Sequence, residues 1–149
     1  MLLKPIALNI YTKTEQTNRV FCRKIFLRKS RMDVILHIAK REQWEKAKLE
    51  GVYRGDTLDS YGFIHCSTSK QIIKVANDLF YAQKGLVLLY IVASKVRSRI
   101  RYECSGSKEL YPHIYGPLNT DAVIMVADFE PTKDGRFSLP KKCIFYDDD

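Results

Sequence analysis

Apolar residues never run long in this chain. The longest stretch, residues 86–93, is far short of the roughly 20 that a helix needs to cross a bilayer, so no membrane association is expected. Cysteine is sparse and unpaired. Cys22, Cys66, Cys104 and Cys143 are widely spaced with no CxxC among them, which argues against a zinc site or redox dithiol and points to reduced thiols in the cytoplasm. Histidine is scarcer still: His37, His65 and His113 are the whole supply. They show no HxH or HxxxH spacing, so a metal-dependent hydrolase built on the three has little beyond their number behind it. Repeats and linkers are also missing, and 149 residues at 46% apolar and 28% charged suit a single globular domain.

The net charge of +8 suggests nucleic acid until it is located. Residues 1–31 carry eight basic side chains and one acid, Glu15, leaving 17 basic against 16 acidic over residues 32–149. The body is nearly neutral, so phosphate-backbone attraction is not expected of it. Residues 1–31 have no sustained period. Pro5, Asn9 and the scattered Lys and Arg spoil a secretory signal, while an Arg-rich, acid-poor leader is compatible with an organelle transit peptide. Met32 stands just before the first well-patterned strand. The expectation is therefore a dispensable basic leader over 1–31, a domain over 32–140 and a solvated tail over 141–149, with a chain begun at Met32 still folding.

Within the domain, residues 34–39 form an apolar strand and 40–50 a helix with Trp44 and Ala47 on one face and Gly51 as its stop. Residues 52–61 are a polar loop. Residues 63–66 form a strand with Phe63 and His65 on one face and Ile64 and Cys66 on the other. Thr68 and Gln71 have capping-box spacing for a helix to about Ala82, with Ile72, Ile73, Ala76, Leu79 and Phe80 along one side. Residues 86–93 form a central strand covered on both faces. Further strands are expected at 97–104, 122–129 and, at an edge, 135–139, with 111–117 as a loop. The class is mixed α+β.

Imidazole is the natural group for proton transfer near neutrality, and all three lie in structured segments. His37 sits among aliphatics, as a satisfied core histidine would. His65 lies in Gly62-Phe63-Ile64-His65-Cys66-Ser67-Thr68, just before a helix N-terminus, where free N–H groups favour anions. His113 lies in Tyr111-Pro112-His113-Ile114-Tyr115-Gly116-Pro117, either a rigid turn or a site-bearing loop. Glu103, at a strand end, is placed to stabilise a developing oxocarbenium ion or activate a hydroxyl, or merely to pair with Arg99 or Arg101. Cys66 adjoins His65, but strand neighbours point to opposite faces, so the two do not make a thiol–imidazole pair. Trp44, Tyr53 and Tyr61 read as packing or loop-anchoring residues.

Those two histidine motifs, with Ile35-Leu36-His37-Ile38-Ala39, Trp44, Gly51-Val52-Tyr53 and Glu103, resemble the bacterial family called domain of unknown function 952, over roughly residues 33–140. The resemblance implies an ADP-ribosyltransferase-like fold, with split antiparallel sheets, two main helices and a cleft that in relatives holds NAD. It implies an ADP-ribosyl or phosphoryl transferase acting on a small nucleotide. His65, Glu103 and His113 would be the catalytic residues, and His37, Ser67, Thr68 and Tyr115 the nucleotide-binding ones. The loop around Glu103 departs from the glutamate loop of toxin-type transferases, and the His113 motif has no simple counterpart in well-known relatives. A noncatalytic nucleotide- or metabolite-binding module is the rival from another class, and the metal-dependent hydrolase a third.

Overall fold

The computed structural model describes residues 33–104, 106 and 108–141. The expectations for 1–31, for Met32 and for most of the tail fall outside them. The described residues belong to one compact unit of mixed α+β architecture, whose strand pairings are antiparallel.

The apolar run of residues 86–92 decides the centre. It forms strand β4 (Leu86–Val92), buried at all seven positions, between β1 (Val34–Lys40) and β8 (Val123–Asp128). Side chains alternate across a strand, so this sheet feeds two cores. Ile35, Ala39, Val87, Leu89 and Ile91 join Trp44 and Ala47 of helix α1 (Arg41–Glu50). Leu36, Leu86, Leu88 and Tyr90 pack on the other face with Ile72 and Ala76 of α3 (Ile72–Leu79) and with Phe129 and Phe137. Truncating Leu88 to alanine would cost about 2–5 kcal/mol, because both faces around it are filled. Gly51 ends α1 in the left-handed region, φ 75°, and returns its N–H to the Ala47 carbonyl at 2.8 Å.

A second sheet has the order β3 (Ile64–His65), β6 (Leu110–Tyr115), β5 (Arg99–Cys104). Ser67 ties the two sheets together by reciprocal 2.8 Å backbone bonds with Leu36 of β1. The chain around His65 thus leaves one sheet and meets the other within three residues.

Four expectations need correction. Residues 52–61 contain β2 (Val52–Tyr53), paired with β7 (Leu118–Asn119), and the one-turn helix α2 (Leu58–Tyr61), giving three described helices where two main ones were expected. The 111–117 stretch is the central strand β6 for most of its length, despite Pro112. The Pro112 carbonyl accepts the Cys66 N–H at 2.9 Å, so its missing N–H faces the place where β3 ends and costs no ladder bond within it. Helix α3 stops at Leu79 instead of Ala82. The Ala82 N–H goes to the Gly135 carbonyl at 2.8 Å and Ala82 adopts φ 57°. Residues 135–139 form no strand, since the Phe137 N–H is taken by the Asn77 side chain at 2.7 Å and Phe137 stacks on Phe129.

Candidate active site

Strands β1, β3 and β6 bring all three histidines to one cleft of about 660 Å³, which α3 also lines. The pairing of β3 with β6 brings two of them together. The Cys66–Pro112 bond marks a hydrogen-bonded pair, so the neighbouring pair His65–His113 is of the closer, non-bonded kind, and its rings stand 5.2 Å apart.

His37 is buried, 8% exposed, and both its nitrogens are committed. Nδ1 lies 2.6 Å from the His65 carbonyl, which can only accept, so Nδ1 carries the proton. Nε2 then accepts the Tyr53 hydroxyl at 2.9 Å. Burial pushes the ring's pKa down to about 4, so it is neutral near pH 7, and burial also raises that of Tyr53, which keeps its proton.

His65 is exposed at the cleft. Thr57 spends its hydroxyl proton on the Phe63 carbonyl at 2.8 Å, so its oxygen accepts from His65 Nδ1 at 3.2 Å. That leaves Nε2 of His65 deprotonated and turned to the cleft. Desolvation, then the neighbouring His113, holds its pKa below the usual value, keeping it a base at neutral pH.

His113 is 3% exposed and stacks on Phe63, 4.2 Å between centroids. Its Nδ1 lies 3.0 Å from the Glu103 carboxylate, and Tyr115 donates its hydroxyl to the same oxygen at 2.5 Å. The Tyr115 hydroxyl and then His113 hold the Glu103 carboxyl below its usual range. A carboxylate behind an imidazole fixes its tautomer and stabilises its charged form. The result is a lone nitrogen: His113 Nε2 is buried and, among the described residues, has no hydrogen-bond partner. An unpartnered buried polar atom costs about 1–3 kcal/mol, which a ligand group would recover.

Of the residues singled out from sequence, His37, His65, His113 and Ser67 line the cleft. Glu103 and Tyr115 stand on the far side of His113, and Arg101 lies over the Tyr115 ring, 4.9 Å from its centroid. Glu103 therefore hydrogen-bonds to His113 and Tyr115, while Arg101, one of the two arginines anticipated from spacing, acts on it through its charge. The Thr68 N–H donates to Gln71 Oε1 at 3.0 Å, one half of the anticipated capping box. Helix α3 proper begins later, at Ile72. Sequence reasoning missed Thr57 and the role of Tyr53, and the polar run Tyr53-Arg54-Gly55-Asp56-Thr57, dense in donors between patterned segments, was the available signal.

Burial raises the Cys66 thiol's pKa, which leaves it protonated and poorly nucleophilic. Cys66 and Cys104 are both free thiols. Among the described residues no group of three or more His, Cys, Asp or Glu side chains is arranged to hold a metal ion, and none of their helices is long and apolar enough to cross a membrane.

Three solved structures match the chain, all of protein CC0527 from Caulobacter crescentus. Its X-ray structure is 32% identical, covers 71% of this chain and 94% of its own, and superposes with a TM-score of 0.66. Its solution NMR structure is 34% identical, covers 69% and 90%, and gives a TM-score of 0.61. No curated protein matches the chain. These likenesses support the α+β architecture, and lend none to the ADP-ribosyltransferase-like grouping, to NAD or to transferase activity. The family profile described as "Protein of unknown function (DUF952)" matches residues 38–126, more than half the chain, and this protein belongs to that family.

Proposed function

We propose that the cleft is the active site of a transferase-like enzyme acting on a nucleotide of the NAD type, moving its ribosyl or phosphoryl group. The observation that carries this is His113 in the cleft lining, its Nδ1 held by Glu103 and its Nε2 buried without a hydrogen-bond partner among the described residues, beside His65, which lines the same cleft with its Nδ1 committed to Thr57. Two imidazoles fixed in complementary ways are the equipment for moving a proton during group transfer. The cleft volume falls in the ordinary range for small-molecule sites. An ADP-ribosyltransferase-like arrangement of split sheets is the corresponding fold reading.

For ribosyl transfer, the acceptor oxygen bonds to the ribose C1′ while the bond from C1′ to the ring nitrogen breaks. The ring leaves neutral with the bonding pair, and the acceptor's proton passes to His65 Nε2. His113, oriented at Nδ1 by the Glu103 carboxylate, would present Nε2 to the reacting group. Glu103 is a positioning residue here, and so is His37, whose nitrogens are spent on the His65 carbonyl and Tyr53.

The test is calorimetric titration of the full chain with NAD and ADP-ribose, alongside an assay for released nicotinamide and for phosphorylated product. Saturable binding and turnover, with turnover cut roughly 100-fold or more in His65→Ala and His113→Ala, is expected. No binding, or turnover indifferent to both substitutions, overturns the proposal. Binding without any product makes the protein a noncatalytic nucleotide-binding module instead.

A further inference from the structure

The cleft lining is of two kinds. His65, His113 and Thr57 make its polar part, while α3 and the residue after it supply the apolar Ile72, Val75, Leu79 and Phe80. Helical spacing assigns Leu79 to the core, yet it is 73% exposed and lines the cleft. Tyr61, the last residue of α2, is 67% exposed, lines the same cleft and presents its ring edge-on to His65 at 5.6 Å. Large apolar groups left wet in a concave site mark a place where a ligand covers them.

The charge on the lining points the same way. Its charged side chains are Lys40, Asp56, Lys74 and Asp78, and they are consumed in two ion pairs, Lys40–Asp56 at 2.9 Å and Lys74–Asp78 at 2.6 Å. A site that grips a diphosphate needs uncompensated cations or a row of N–H donors. Among the described lining residues the two signs balance. What the polar part leaves unspent is imidazole nitrogen, suited to sugar hydroxyls.

Building on the function proposed above, we infer that the cleft recognises the nucleoside portion of its ligand, with the planar ring against Tyr61 and Leu79, the sugar hydroxyls at His65 and His113, and the phosphates left in solvent. Tyr61 and Leu79 are then specificity-determining residues, and the substrate class widens from dinucleotides to nucleosides and their derivatives.

The experiment is calorimetry on the full chain with adenosine, nicotinamide riboside, ADP-ribose, NAD and ribose 5-phosphate at low and high salt. At least one nucleoside should bind within about tenfold of its nucleotide, with little change in affinity on adding salt, and ribose 5-phosphate should bind far more weakly. Leu79→Asp and Tyr61→Ser should each weaken nucleoside binding by about tenfold, the scale of one large apolar contact, while Tyr61→Phe retains it. Both side chains are exposed, so melting temperatures should stay near wild type, and a variant that melts early would be replaced by Leu79→Ser or Tyr61→Asn. Nucleotides bound with nucleosides more than tenfold weaker, a steep salt dependence, or tight binding of ribose 5-phosphate overturns this inference alone. Failure of every nucleoside and nucleotide to bind overturns the proposed function together with it.

Discussion

Two buried imidazoles sit on neighbouring sheets and are wired in opposite ways. His37, on β1, has a partner for each nitrogen, and both partners are internal. His113, on β6, has a carboxylate on Nδ1 and nothing on Nε2 among the described residues. Their exposures are close, 8% and 3%, so burial does not separate them. The completeness of the hydrogen-bond inventory does. A satisfied buried histidine stabilises a structure, and an unsatisfied one held rigidly is an invitation to a ligand.

The widest gap between them should appear in turnover. His113→Ala is expected to lower kcat by about 10²–10⁴, whereas His37→Gln, which can still donate to the His65 carbonyl, should cost far less. Equal losses in steady-state kinetics would erase the distinction.

Stability against pH is next in size. His37 is depressed from 6.5 to about 4, so above pH 6.5 it is neutral in both states and its linkage contribution is fully present. As pH falls, the unfolded chain takes up a proton that the folded one refuses until about pH 4, and stability falls with it. The expected loss is about 3 kcal/mol across that window, measured by urea unfolding. His65, also held below its usual value, adds a loss of the same sign, so the slope should shrink without vanishing in His37→Gln, and an unchanged slope would show that His37 is not the group responsible.

Removing the rings at constant pH compares them directly. His37→Phe leaves the Tyr53 hydroxyl and the His65 carbonyl without their partner and should cost about 2 kcal/mol. His113→Phe keeps the stack on Phe63 and removes an unpartnered atom, and although it takes one donor from Glu103, that carboxylate keeps Tyr115 and partial exposure, so the cost should be smaller, about 1 kcal/mol. A reversed order in urea unfolding would refute the assignment. The smallest effect is expected at Thr57→Val, which releases the His65 tautomer without touching the cleft's other two histidines. About a fivefold fall in kcat with an altered acidic limb of the pH profile is the predicted signature.

How far these features can be read without coordinates depends on range. Strands β1 and β4 are legible because apolar continuity is local, and α1 because Trp44, Ala47 and Gly51 fall on helical spacing within one segment. Strand β6 hid behind Pro112, since a proline argues against a central strand unless one knows that its neighbour ends there. Leu79 fitted the core stripe of α3, and only the bond from Ala82 to Gly135 ends the helix early. Glu103 was recognisable as a carboxylate near the chemistry. Its partner was not, because position 113 is reached only through the β5–β6 register.

The sequence by itself determined the residue types, the alternation that makes one sheet two-sided, and the concentration of imidazole in three structured segments. These are properties of neighbours along the chain, where a strand's period of two and a helix's 3.6 act within a few residues. Only the tertiary structure decided which histidine is finished and which is open. The proton on His37 is placed by a carbonyl 28 residues away, that on His65 by a threonine eight residues back, and His113 Nε2 stands out because none of the described residues reaches it. Hydrogen bonds depend on distance and angle in space, so the chemistry of each ring is set between strands, for His37 beside the crossing at Ser67 and for His113 across the β5–β6 register.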